Sequence, residues 1–208
     1  MKVLSKDIVN GERLPDYLGF CVCHEGEIRF GDNKSPHLVW SDFPNETECF
    51  AIVCSDQDAP IAAEDINVEG RVIPADLRRV VFYHWVIFNI PKEITEIFCG
   101  QFSSGVTPRG KGEQECMVNG AVQCMNNYTD WFAGDPQMDG DYFGYDGPCP
   151  PWNDELIHRY EFTVYALSKK IAYSPGYFRA GDVVKSITEN SIDSSMLSGV
   201  YTLNHKIY

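Results

Sequence analysis

The sequence has no basic cluster: its 17 lysines and arginines are outnumbered by 30 aspartates and glutamates, for a formal charge of −13. Nucleic acids and anionic membrane surfaces are bound through basic patches that displace counterions, so both partner classes are excluded. No apolar run is long enough to span a bilayer, and stable membrane insertion is not expected. Met1-Lys2-Val3-Leu4-Ser5-Lys6-Asp7 lacks the uninterrupted apolar segment of a signal peptide, which predicts a cytoplasmic protein. Linker-like, repetitive and low-complexity stretches are also missing, so the 208 residues predict one domain over 1–208.

A second cluster with zinc-ligand spacing is missing too. Cys21-Val22-Cys23-His24 stands alone, so neither a metal nor a cofactor is expected. In a reducing compartment the eight cysteines are read as free thiols, several of them small hydrophobes within apolar runs. The sequons Asn45-Glu46-Thr47 and Asn127-Tyr128-Thr129 carry no weight without a secretory route.

What is present is mainly β pattern. Strands are predicted at about 20–30, 37–41, 49–56, 80–90, 116–123 and 160–167, with a short terminal strand at 199–203. The run from Val80 to Ile90 is apolar on both faces, as in a central strand covered on each side, and His84 lies within it. Phe178, Val183, Val184 and Ile187 recur at helical spacing, predicting a helix near the C-terminus that starts around Pro175. The acidic stretch between Pro60 and Arg79 reads as a long surface excursion with a short helix at Pro74–Arg79.

Chemistry is concentrated in one loop. Gly144-Tyr145-Asp146-Gly147-Pro148-Cys149-Pro150-Pro151 cannot form helix or central strand, and predicts a rigid loop whose backbone can approach a ligand. His158-Arg159-Tyr160 follows. Tyr160, Phe162, Val164 and Ala166 would share one strand face with His158 in phase, which suits a small anion held beside exposed amides.

Cys54-Ser55-Asp56-Gln57-Asp58-Ala59-Pro60, the His84 strand and the His158 loop, taken in order, resemble the phosphatidylethanolamine-binding protein family, which includes the Raf kinase inhibitor protein. Asn33-Lys34-Ser35-Pro36-His37-Leu38-Val39-Trp40-Ser41 is similar to a pattern of its bacterial Raf kinase inhibitor-like branch. The likeness runs from about 27 to 203. It implies a Greek-key antiparallel β-sandwich with a few short helices and an anion pocket at one end. The implied ligand residues are Asp56, His84, Gly147, Cys149, Pro151, His158 and Tyr160. Asp58 is explained by a local turn.

The resemblance also implies a phosphate-like or small phosphorylated ligand, a kinase or protease as protein partner, and a homodimer. A carboxylate should raise the pKa of both histidines against the opposing pull of burial, and the amides of Gly147 and Cys149 should add hydrogen bonds. The acidic stretch from Thr129 to Asp141 departs from the bacterial pattern and is expected beside the pocket mouth, where Asp130, Asp135, Asp139 and Asp141 would repel anionic lipid or recruit a cationic partner. The protein is expected to be non-catalytic. The alternative is a small-molecule hydrolase with Cys149 as nucleophile, His158 as base and Asp56 as orienter.

Overall fold

A computed structural model of the chain describes residues 1–173 and 178–207. Its strands are β1 (Lys2–Leu4), β2 (Cys21–His24), β3 (Glu27–Phe30), β4 (Leu38–Ser41), β5 (Cys49–Pro60), β6 (Arg79–Pro91), β7 (Glu96–Ile97), β8 (Met117–Val118), β9 (Ala121–Gln123), β10 (His158–Leu167) and β11 (Ser191–Tyr201). Two α-helices accompany them, α1 (Tyr128–Trp131) and α2 (Ala180–Asn190).

A six-stranded sheet in the order β11-β10-β5-β6-β9-β8 faces a three-stranded sheet in the order β1-β4-β7. All pairings between these strands are antiparallel. The chain passes from β4 in the small sheet to β5 and β6 in the large one, back to β7, and returns to place β10 beside β5. This non-sequential order is the Greek-key sandwich the sequence implied.

Alternation explains the middle of the core. Tyr160, Phe162, Val164 and Ala166 are all fully buried, on the face the period of two assigns them. They pack with Phe50, Ile52, Trp85 and Ile87 between the sheets. The opposite face of the large sheet is covered as well: Ala180, Val183 and Ile187, on one side of α2, pack with Val53, Val86 and Phe88. Burying each large apolar side chain contributes roughly 2–3 kcal/mol. Two-sided cover explains the apolar run from His84 to Ile90, whereas Val80 and Val81 at its start are exposed.

Several boundaries differ from expectation. The 20–30 run is a hairpin, because Glu25 and Gly26 both take positive φ and turn the chain back. Asn119-Gly120 makes the same turn between β8 and β9. Pro74 to Leu77 forms a turn rather than a helix, with Leu77 N–H donating to the Pro74 carbonyl. The helix start at Pro175 lies outside the described residues. The terminal strand is longer than 199–203: β11 follows α2 directly, and Ile192 and Met196 stay exposed along this edge, so its polar first half reads as loop. Among the described residues, no helix is long and apolar enough to cross a membrane.

Candidate functional site

Three neighbouring strands bring the separated motifs together at one end of the large sheet. Tyr160 lies opposite Asp56 in the β10–β5 register, and β6 carries His84 on the other side of β5. The β5–β6 register shifts between Asp56 and Ala59. A shift of this kind re-aims side chains at a strand end. Asp56 Oδ1 accepts the Asp58 N–H at 2.7 Å, while Asp58 Oδ2 accepts the Arg159 N–H at 2.8 Å. The local turn bond is thus made by the Asp56 carboxylate, and the Asp58 carboxylate, expected to bond a local amide, instead ties β5 to the start of β10.

His158 is held on both sides by carboxylates. Nδ1 lies 2.7 Å from Asp56 Oδ2 and Nε2 lies 3.1 Å from Asp154 Oδ2. Asp154 in turn takes a bidentate pair from Arg79, at 2.5 and 3.0 Å, and the Leu156 N–H at 2.9 Å. Burial alone would push the imidazole pKa down. The Asp56 charge and the hydrogen bonds to Asp154 and Asp56 outweigh it and carry the pKa up to about 9. Burial likewise opposes ionisation of Asp154, but His158 and Arg79 bring its pKa below the usual value. His158 is thus a charged, fully bonded post, and it has no nitrogen left for a ligand.

His84 takes the opposite direction. Burial lowers its pKa, and the charges of Asp56 and Asp146 and the bond to the Asp146 backbone only partly counter this, with the His158 charge adding to the lowering. The expectation that both histidines rise is therefore corrected for His84, which has no carboxylate in direct contact. Nδ1 lies 2.8 Å from the Asp146 carbonyl oxygen. A carbonyl only accepts, so Nδ1 carries the proton and neutral His84 presents Nε2 as a lone pair. Asp146 is itself anchored by Lys111 at 2.7 Å, Asn33 at 2.7 Å and Asn126 at 2.9 Å.

The proline-bearing loop serves differently than expected. Cys149 is joined to Cys21 of β2 by a disulfide that spans 128 residues of sequence. Disulfides persist in oxidising surroundings and are rare in a reducing cytoplasm, so the free-thiol expectation fails for this pair and the bridge opposes the cytoplasmic premise behind it. Cys21 is also lost as a ligand to the Cys21-Val22-Cys23-His24 cluster. With its sulfur in the bridge and His158 bonded at both nitrogens, the Cys149–His158 pair of the hydrolase alternative is not assembled while the disulfide is closed.

Gly147 does not line the cavity. Its N–H donates to Asn33 Oδ1 at 2.8 Å and its carbonyl accepts the Tyr128 hydroxyl at 2.8 Å. A Cβ there would stand 1.9 Å from the Leu18 carbonyl oxygen, so the glycine permits backbone packing, not ligand contact. Because Pro148, Pro150 and Pro151 have no N–H, Cys149 offers the one remaining amide of this lip.

These groups surround a cavity of about 250 Å³. Asp56, His84, Cys149, Pro151, His158 and Tyr160 all border it. The Tyr160 hydroxyl is completely buried; burial first, then the charge and hydrogen-bonding reach of the neighbouring Asp56, push its pKa up, but no bond of good geometry forms. The outer lining is apolar. Phe20, Phe30, Trp131, Phe132 and Met138 border the cavity, with Phe30 and Trp131 exposed and the Phe20 and Phe132 rings 6.0 Å apart. The stretch from Thr129 to Asp141 thus supplies a hydrophobic wall, and Asp130 turns to Arg179 at 2.6 Å. The 61–79 excursion contributes Ile66 and Asn67, tied down where the Asn67 N–H and Oδ1 bond Asn153 Oδ1 and the Trp152 N–H at 3.0 Å each.

Sequence reasoning missed Arg79, Asp154 and the Lys111–Asp146 anchor. Asp154 stands four residues before His158, a spacing that could have flagged it. Nothing local marks Arg79 or Lys111.

The family model described as phosphatidylethanolamine-binding protein matches residues 4–202. The UPF0098 protein YbhB of Escherichia coli is 31% identical over 80% of this chain and 78% of its own. A UPF0098 protein of Methanothermobacter thermautotrophicus is 30% identical over 82% and 84%. The crystal structure of E. coli YbcL, described as a new member of the mammalian PEBP family, superposes with a TM-score of 0.68 at 25% identity, covering 97% of both chains. The chain belongs to the phosphatidylethanolamine-binding protein family.

Proposed function

We propose that this family member is a non-catalytic binder of a small phosphoryl or similar oxyanion ligand, seated on the cavity floor with its carbon portion in the apolar mouth. One observation carries the reading: His84 and Tyr160 are buried residues that border the cavity, His84 bonds the protein through Nδ1 alone, and the Tyr160 hydroxyl has the Asp56 carboxylate as its neighbour without a well-formed bond to it. Buried polar groups left without a partner in the protein point to an external one.

Charge accounting shapes the ligand. Arg79, His158, Asp56 and Asp154 sum to zero, so the floor holds no surplus positive charge. An oxyanion is accommodated when it arrives with a proton that it donates to His84 Nε2, leaving its other oxygens for the Tyr160 hydroxyl and the Cys149 amide. A non-catalytic role is supported by the lack of a free nucleophile–base pair at Cys149 and His158.

The test is calorimetric titration of inorganic phosphate and phosphoethanolamine into wild type and into His84→Ala and Tyr160→Phe. Each variant is expected to lose about tenfold in affinity, in line with the loss of one charge-assisted hydrogen bond. Unchanged binding in the double variant would overturn the reading.

A further inference from the structure

The β2–β3 hairpin is bound to the rest of the protein in an unusual way. Its two strands form a separate two-stranded sheet and pair with neither of the larger ones. All residues of β3 are exposed. Yet the hairpin walls the cavity with Phe20 and Cys21 at its root and Phe30 at the end of its return strand.

Its attachments converge on the root. The Phe20 and Cys21 N–H groups share one acceptor, the Pro148 carbonyl oxygen, at 2.9 and 3.1 Å. The Tyr201 hydroxyl donates to the Cys21 carbonyl at 3.2 Å. The neck closes where Gly31 N–H donates to Phe20 O, so close that a Cβ on Gly31 would stand 2.4 Å from Gly19 O. The covalent link sits at the same place, joining Cys21 to Cys149 on the proline lip. A two-stranded ribbon on its own is marginally stable in water, so the tether decides how firmly this wall stands.

We propose that the Cys21–Cys149 disulfide is a redox-released tether on this flap, so that thiol reductants regulate ligand exchange at the cavity. The proposal rests on the ligand reading above for what is regulated. In the step, one thiolate of a dithiol attacks a sulfur of the bridge and forms a mixed disulfide, and its second thiolate resolves that bond. The dithiol is oxidised to its own disulfide. Cys21 and Cys149 each leave as thiols, with two electrons and two protons transferred in all. The flap then keeps its root hydrogen bonds and the stacking of Phe20 on Tyr128 at its base, and the wall formed by Cys21 and Phe30 moves away from the lip.

Hydrogen exchange over residues 20–31, with and without dithiothreitol, tests the tether, and inorganic phosphate titration under the same conditions tests its consequence. Reduction is expected to raise exchange in the hairpin at least tenfold, to leave β5, β6 and β10 protected, and to weaken phosphate binding several-fold. The Cys21→Ser, Cys149→Ser double variant should behave as reduced protein with or without dithiothreitol. Protected β5, β6 and β10 in reduced wild type show that the fold persists even if the variant is unstable. Unchanged hairpin exchange on reduction overturns the proposal, as does an equal dithiothreitol effect in the double variant, which would assign it to another thiol such as Cys23. Phosphate binding in neither state contradicts the ligand reading alone, and the exchange data still decide the tether.

Discussion

The Asp146 carbonyl oxygen lies 2.8 Å from Nδ1 of His84, which fixes the tautomer of a buried imidazole and leaves its second nitrogen as an acceptor toward the cavity. Two consequences follow from this contact and from the contrasting treatment of His158. Binding should be linked to protons through His84, and folding should be linked to protons through His158.

Because neutral His84 needs the ligand's proton, binding of phosphoethanolamine, whose phosphate loses its last proton at about pH 6, should be accompanied by net proton uptake above that pH. Affinity should then fall about tenfold per pH unit above about pH 6, whereas inorganic phosphate, which keeps a proton, should not show this fall. Calorimetry in buffers of different ionisation enthalpy measures the protons taken up. His84→Ala should abolish the uptake together with most of the affinity.

His158 links folding to pH in the basic range. Its pKa is raised from 6.5 unfolded to about 9 folded. Its stabilisation is therefore fully present below pH 6.5 and lost as pH rises through 9. The full effect is about 3 kcal/mol. Urea unfolding between pH 6 and pH 10 should show this loss in wild type and not in His158→Gln, the difference between the two isolating this group from others that titrate in the range.

Arg79 sits in a different position, as the counter-charge that allows two carboxylates to flank one imidazole. Arg79→Met would leave Asp154 and Asp56 sharing a single buried cation. A loss of about 3 kcal/mol is expected, since removing one partner strands a buried charge. Thermal and urea denaturation measure it, and a stability within about 0.5 kcal/mol of wild type would show that Asp154 finds compensation elsewhere.

Gly147→Ala separates packing from ligand contact in the loop. The added methyl meets the Leu18 carbonyl oxygen at 1.9 Å, so the backbone must shift. Destabilisation of about 2 kcal/mol or more is expected in thermal unfolding, as for other overpacking changes. Unaltered melting would show that the Leu18 segment yields freely.

The parts of the fold legible in the sequence are those set by short-range periodicity. The buried face of β10 and the two-sided β6 follow directly from the order of their residues. By contrast, β1 has three residues, too few for a period to register, and the first half of β11 is a polar edge. At the site, Asp56, His84, His158 and Tyr160 were recognisable by motif, but their states were not. Whether an imidazole is raised or lowered depends on Arg79, Asp154 and Asp146, which only the fold places nearby. Cys149 reads as a free thiol for a related reason: its partner lies 128 residues away, and nothing in either local sequence pairs the two.

The most direct measurement is the ¹⁵N resonance of His84 Nε2 during titration with phosphoethanolamine at pH 7. The account predicts an unprotonated Nε2 in the free protein that becomes protonated as the ligand saturates, with His158 protonated throughout. Saturable binding that leaves the His84 resonance unmoved would contradict it.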